Sequence, residues 1–157
     1  MQEGEETTGR VGEMAAEGPK LFVAAKAFVS YNGKVLILQE SSNYKEGINA
    51  GKFDVPGGRM SPGETIFDCL KREAMEETGI SITTGRPFFI TDSKQTVNGE
   101  QWQVIRIYFS ASAGTDAVTL SEDHKVSLWI DPKDYRKHGI IENVHPVFDA
   151  YLELNDR

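Results

Sequence analysis

Three glutamates near the middle of the chain have the type and spacing of residues that bind one metal ion. Glu73, Glu76 and Glu77 lie three and four residues apart, and side chains at these intervals meet on one face of a helix. Carboxylate oxygens are the ligands preferred by hard cations such as Mg²⁺ and Mn²⁺. The spacing therefore predicts a divalent-cation site, provided that the segment is helical.

The segment from Thr65 to Thr78 is the strongest predicted helix of the chain. Thr65 and Asp68 resemble the start of a capping box, and Gly79 suits the position that follows the last helical turn. The pattern thus supplies the helix that the three glutamates need.

The helical wheel aligns two of the glutamates with apolar residues. Glu73 and Glu77 each follow an apolar residue, Ile66 and Leu70, by seven positions, and residues seven apart share a face. The opposite face is predicted to hold Asp68, Lys71, Met75 and Thr78. A carboxylate that continues an apolar stripe loses water and needs a cation or hydrogen bonds.

Two alternatives to a metal site remain open at this point. The glutamates could form a solvated helix face, or they could form an ion-pair network around Arg72. One arginine cannot balance three glutamates, so the pattern favours a metal. Gly57 and Gly58, just before the helix, add a backbone that a ligand can approach closely.

The complete segment resembles the Nudix box of a known hydrolase family. Its fixed positions match in type and spacing: Gly58, Glu64, Arg72, Glu73, Ala74, Glu76, Glu77, Gly79 and Ile80. The flanking stretches GKFDVPGG and SEDHKVSLWIDPKDY also look like this family, so the resemblance covers roughly residues 21–151.

The resemblance implies an α/β (α+β) fold, an α/β/α sandwich with a mixed β-sheet. It implies hydrolysis of the diphosphate linkage of a nucleoside diphosphate derivative, assisted by Mg²⁺ or Mn²⁺. By analogy, the metal ligands would be Glu73, Glu76, Glu77 and the carbonyl of Gly58. Arg72 would orient the glutamates, and Glu64 would support the loop before the helix.

Residues outside the box are expected to complete the site. By the same analogy, the base for water would be Glu73 or a carboxylate outside the box. Glu122 and Asp123 are candidates for an additional metal ligand or for this base, and Glu122 is also a candidate for binding the substrate. The two residues could equally form an exposed acidic turn. Asn143 lies before the last predicted helix, where a side-chain amide could bind the nucleobase.

The substrate is predicted less narrowly than the reaction. A small chain with little beyond the box favours a nucleoside triphosphate, including oxidised or non-standard ones. The alternatives are an ADP-ribose or nucleotide-sugar pyrophosphatase and a nucleotide-binding module without catalysis.

Composition limits the other classes of function. The chain has 157 residues and a net charge of −7, which argues against binding a nucleic-acid polymer. The single cysteine, Cys69, allows no internal disulfide, and no apolar stretch is long enough to span a membrane.

We expect a cytoplasmic protein with a polar extension, residues 1–20, and one domain, residues 21–157. A homodimer is common in the family, but nothing in the sequence indicates one.

The remaining elements are predicted mainly as strands, with a hairpin turn at 31–34 and another at 97–100. A short helical turn follows Asp131, and a final helix covers roughly residues 146–154. The predicted strands are residues 21–30, 35–38, 52–55, 87–91, 102–111 and 125–130.

Overall fold

A computed structural model describes residues 18–156, which form seven strands, two α-helices and two short 3₁₀ helices. The 3₁₀ helices are Pro132–Lys137 and Glu142–Val144. The α-helices are α1, Ile66–Thr78, and α2, His145–Asn155. The strands are β1, Lys20–Tyr31; β2, Lys34–Glu40; β3, Phe53–Asp54; β4, Gly57–Arg59; β5, Thr83–Val97; β6, Glu100–Ser112; and β7, His124–Ile130.

The strands form one mixed sheet in the order β3-β2-β1-β6-β5, with β4 paired to β1 and β7 paired to β2. The pair β1 and β6 is parallel, and the other pairs are antiparallel. Both predicted hairpins are present, because Asn32-Gly33 and Asn98-Gly99 adopt the positive φ angles that tight hairpin turns require.

The two helices cover opposite faces of this sheet, so the predicted sandwich is confirmed. Residues of β1 and β2 alternate between the faces, as strand geometry requires. Ala27 and Leu36 pack in the cluster that contains Leu70 of α1, whereas Phe28 and Ile37 pack in the cluster that contains Phe148 of α2. The core therefore has two layers with the sheet between them.

The structure corrects the sequence-based predictions at two places that concern the site. Gly57–Arg59 lies outside the predicted strands, but it forms the short strand β4, whose residue Gly58 is the pairing partner of Ala25. Thr78 was placed on the polar face of the helix, but it is buried. Its hydroxyl donates to the carbonyl of Ala74 at 2.6 Å and accepts from the amide of Ile80 at 3.1 Å, which removes the cost of burial.

The predicted extension, residues 1–20, lies outside the described residues except for its last three positions, and β1 already begins at Lys20. Within residues 18–156, no helix has both the length and the apolar character that crossing a membrane requires.

Candidate active site

A cleft of about 610 Å³ is lined by residues of α1, β4 and the sheet strands β1 and β6. Acidic side chains outnumber basic ones along its walls. The acidic residues are Glu40, Glu46, Asp54, Glu73, Glu76, Glu77 and Asp123, and the basic residues are Lys26, Arg59, Arg72 and Arg106. This excess of negative charge suits a cation and disfavours a polyanion on its own.

Helix α1 is fixed at both ends, which sets the direction of its glutamates. The hydroxyl of Thr65 accepts from the amide of Asp68 at 3.1 Å, as the capping pattern predicts. Gly79 adopts φ 70° and donates its amide to the carbonyl of Met75 at 2.9 Å. Cys69 is fully buried on the side of α1 that packs against the sheet.

Arg72 is the centre of an ion-pair network along one side of the cleft. Its guanidinium contacts Glu64 at 2.7 Å and Glu73 at 2.9 Å, with a longer contact of 3.3 Å to Glu76. The hydrogen bonds from Arg72 lower the pKa of Glu64 to about 2. Glu64 also accepts from the amide of Ser61 at 2.7 Å, so it ties the loop before α1 to Arg72. The ion-pair network that was the alternative to a metal site is therefore present. It includes Glu64, Glu73 and Glu76 but not Glu77.

Glu77 lies outside this network and is the most strongly perturbed carboxyl of the site. Its Oε2 accepts from the amide of Gly57 at 3.1 Å, and within residues 18–156 it forms no ion pair within 4 Å. Burial raises its pKa to about 8, against the opposing charge of Lys26. Burial also raises the pKa of Glu73, and the bonds from Arg72 oppose that rise.

Gly58 lets the carboxylate of Glu73 lie directly against the backbone of β4. A Cβ atom at position 58 would lie 2.5 Å from both Cδ and Oε2 of Glu73, so any side chain there would displace the carboxylate. The carbonyl of Gly58 also accepts a long contact of 3.6 Å from the Cys69 thiol. Glycine at this position thus permits the close approach of the Glu73 carboxylate.

The donor atoms around Gly58 fit a divalent cation. Arg72 bonds to Oε1 of Glu73, which leaves Oε2 beside Gly58, and Gly57 bonds to one of the two oxygens of Glu77. These are hard oxygen donors of the kind that Mg²⁺ and Mn²⁺ prefer. In the part of the chain that the structure describes, however, no three His, Cys, Asp or Glu side chains already form a coordination group. Glu73 and Glu76 both face Arg72, and Glu76 is 57% exposed.

A smaller pocket of about 230 Å³ adjoins the cleft and shares Asp54 and Arg106 with it. Asn143 lines this pocket, next to Tyr108 and Val144. The guanidinium of Arg106 is held at the junction by Ser93 at 2.6 Å and Gln95 at 3.0 Å. The site therefore consists of an acidic cleft and a polar side pocket.

The two acidic candidates before β7 occupy different positions. Asp123 lines the cleft, whereas Glu122 is exposed and is not among the lining residues of either pocket. The neighbouring His124 also lines the cleft, and its ring atom Nδ1 is buried without a hydrogen-bond partner in the described part of the chain. Burial lowers the pKa of His124, with a smaller contribution from the charge of Lys26.

A family model for the NUDIX domain matches residues 20–151, which include every strand and the site. The chain belongs to the NUDIX domain family. Members of this family are hydrolases that act on phosphoric anhydrides as pyrophosphatases. The resemblance of the segment from Gly58 to Ile80 is thereby confirmed.

The Nudix relatives include enzymes named for nucleoside triphosphates. The chain is 22% identical over 135 residues to the CTP pyrophosphohydrolase of Escherichia coli (strain K12), covering 86% of this chain and 94% of that protein. It is 30% identical over 109 residues to the nucleoside triphosphatase NudI of Enterobacter sp. (strain 638), covering 65% of this chain and 76% of that protein. The crystal structure of the MutT protein from Methanosarcina mazei Go1 superposes with a TM-score of 0.77 at 26% identity, covering 88% of this chain and 98% of that one.

This Nudix site contains residues that the sequence reasoning missed. Lys26 and Arg106 are basic side chains on sheet strands, and both line the cleft. Lys26 left a signal in the sequence, because it interrupts the most apolar segment of the chain. The sequence around Arg106 has no signal that distinguishes this residue from an ordinary exposed residue of a strand.

Proposed function

We propose that this protein is a Mg²⁺- or Mn²⁺-dependent pyrophosphohydrolase whose substrate is a nucleoside triphosphate. The observation that carries the proposal is the position of Glu77 on the wall of an acidic cleft, half-buried and without an ion-pair partner within residues 18–156. Burial disfavours the charged form of a carboxyl, and a cation bound beside the carboxyl makes that charged form favourable again.

Glu73, Glu76, Glu77 and the carbonyl of Gly58 are our candidates for holding the cation. When bound, it would neutralise the diphosphate and help to activate water for attack on phosphorus. Arg72 holds Glu73 by one oxygen and keeps the other beside Gly58. Glu64 positions Arg72 in turn, through two hydrogen bonds of 2.7 and 3.1 Å.

A carboxylate must also accept the proton of the attacking water. Asp123 is our candidate for this base, since it lines the cleft while Glu122 does not. Glu73 remains the alternative inside the box, although one of its oxygens is already held by Arg72. As water adds to phosphorus, the anhydride P–O bond breaks and the leaving phosphate takes the electron pair.

The side pocket is our candidate site for the nucleoside. Asn143 offers an amide donor and an amide acceptor, which can read the polar edge of a base. The two relatives named for triphosphates support this substrate class over ADP-ribose or nucleotide sugars. We place the reaction on a small nucleotide and not on a nucleic-acid polymer, because the net charge is −7. The cytoplasm is our proposed compartment, since a single cysteine allows no internal disulfide.

A substrate panel tests the proposal. Purified protein is incubated with canonical and oxidised nucleoside triphosphates, dinucleotides and nucleotide sugars, with Mg²⁺, with Mn²⁺ or with a chelator, and the products are separated. We expect metal-dependent release of pyrophosphate or phosphate from at least one triphosphate. The variant Glu153→Gln removes an exposed carboxylate of α2 outside the cleft and should retain wild-type activity. A wild type that hydrolyses nothing in the panel with either metal would contradict the proposal.

A further inference from the structure

Lys26 is a buried cation on the floor of the cleft. It lies in the middle of β1, where its neighbours Ala24, Ala25, Ala27 and Phe28 are all buried and apolar. Its side chain is only 11% exposed. A lysine in such a position loses most of its hydration, so it is retained only where other groups compensate for the loss.

Asp54 of β3 supplies part of the compensation. Its Oδ2 lies 3.0 Å from Nζ of Lys26, and this is the one hydrogen bond of the ammonium within residues 18–156. An ammonium has three N–H donors. Two donors are therefore left for partners that the described part of the chain does not supply, and the side chain lines the cleft.

The sheet places Lys26 next to the carboxylates of α1. Lys26 pairs in register with Gly57 of β4, and the amide of Gly57 donates to Glu77 at 3.1 Å. The charge of Lys26 also opposes the effect of burial on the pKa values of Glu77 and Glu40. The ammonium thus lines the same cleft as the candidate metal ligands and is close enough to act on their charges.

An ion pair with Asp54 alone does not explain this lysine. Buried ion pairs are seldom more stabilising than apolar residues of the same volume, and every neighbour of Lys26 along β1 from Ala24 to Phe28 is apolar. A role for the two remaining donors accounts for the retained charge. The ligand that fits them is a polyanion with several acceptor oxygens.

We propose that Lys26 is a catalytic residue that donates hydrogen bonds to non-bridging oxygens of the diphosphate being cleaved. This inference rests on the proposed function. When water forms its bond to phosphorus and the bridging P–O bond breaks, the electron pair passes to the leaving phosphate. Lys26 keeps its proton throughout, and its fixed positive charge stabilises the charge that builds up on the leaving group. A partly desolvated ammonium is effective here because little water screens it.

Three variants separate this role from a structural one. Lys26→Met keeps the length of the side chain and removes the charge, but it leaves Asp54 unpaired. The double variant Lys26→Met/Asp54→Asn removes both charges, so no buried charge is left alone if the single variant folds poorly. Asp54→Asn alone removes the partner and keeps the ammonium.

The first readout is turnover of a nucleoside triphosphate with Mg²⁺, beside thermal unfolding. We expect kcat/KM to fall about 10²-fold in both Lys26→Met and the double variant, and to fall much less in Asp54→Asn. If Lys26 acted only by pairing with Asp54, the double variant would recover wild-type kcat/KM. That recovery, in a protein that unfolds at the wild-type temperature, would overturn the proposal.

The second readout is binding of a non-hydrolysable α,β-methylene triphosphate with Mg²⁺, measured by calorimetry. We expect the double variant to bind this analogue about tenfold more weakly than Asp54→Asn, which has the same substitution at position 54. Equal affinities of the double variant and Asp54→Asn would overturn the proposed contact between Lys26 and the diphosphate. A wild type that binds the analogue but hydrolyses no nucleotide would contradict the proposed function, and the binding comparison would still decide for or against Lys26 as a diphosphate ligand.

Discussion

Replacing Glu77 by glutamine should stabilise the metal-free protein at alkaline pH. The substitution keeps an oxygen that can accept from the amide of Gly57, now at 3.1 Å from Oε2, and removes the buried charge. Burial raises the pKa of Glu77 from its ordinary value of 4.5 to about 8. The folded protein therefore holds a proton at neutral pH that the unfolded chain has released.

The sign and size of the effect follow from this difference. Between pH 4.5 and 8 the folded state binds more protons at Glu77 than the unfolded state, so the residue makes the free energy of unfolding fall as pH rises. Below pH 4.5 both states are protonated and the contribution vanishes. At about 1.4 kcal/mol for each pKa unit, the full loss above pH 8 is at most about 5 kcal/mol. Glutamine does not ionise, so Glu77→Gln avoids this loss.

Denaturant unfolding in the presence of a chelator, at pH 4.5 and at pH 9, measures the effect. We expect the free energy of unfolding of Glu77→Gln to exceed that of the wild type at pH 9 by about 2 to 5 kcal/mol and to equal it at pH 4.5. Glu76→Gln is the matched control, because Glu76 lies one residue away and is 57% exposed. Its stability should stay close to that of the wild type at both pH values. Equal stability of Glu77→Gln and wild type at pH 9 would refute the reasoning.

Three further substitutions test single contacts of the site. Gly58→Ala should lower turnover by about 100-fold with little change in thermal stability, since the new Cβ displaces only the end of the Glu73 side chain. A steady-state assay and a thermal unfolding curve measure the two quantities, and unchanged turnover would contradict the prediction. Arg72→Lys should lower metal-dependent activity by about 10- to 100-fold, because lysine cannot contact Glu64 and Glu73 together in the planar geometry of arginine. Activity within twofold of the wild type would show that the network does not position Glu73. Asn143→Ala should raise KM for the nucleotide by about fivefold to tenfold and leave kcat nearly unchanged. A loss confined to kcat would show that the nucleobase binds elsewhere.

The local signals of the sequence predicted most of the fold. Both hairpin turns and helix α1 depend on residues that act within a few positions, such as Asn98-Gly99 and the pair Thr65 and Gly79. The strand β4 could not be predicted in this way. Gly57 and Gly58 have no apolar side chains to mark a strand, and their pairing with β1 depends on a segment more than 30 residues away.

The sequence predicted which glutamates of the box lie on the side of α1 that faces the sheet, but it did not predict how they pair. The spacing of the box placed Glu73 and Glu77 on the side of α1 that faces the sheet, and both carboxyls are raised in pKa by burial. The sequence could not show that Arg72 pairs with Glu73 and not with Glu77, because i,i+1 and i,i+5 partners are chosen by side-chain rotamers. Thr78 was misplaced for a related reason: it lies four residues after Ala74 on the buried side, where its hydroxyl bonds to the helix backbone.

The role of Glu77 is tested most directly by comparing the metal-dependent turnover of the wild type and of Glu77→Gln side by side. Release of products from a nucleoside triphosphate is followed in a chelator and then with increasing Mg²⁺. The wild type should be inactive in the chelator and active with Mg²⁺, and Glu77→Gln should remain at least about 100-fold slower at saturating Mg²⁺ and nucleotide. Equal turnover by the two proteins, or wild-type turnover that persists in the chelator, would contradict the assignment of this cleft as a metal-dependent active site.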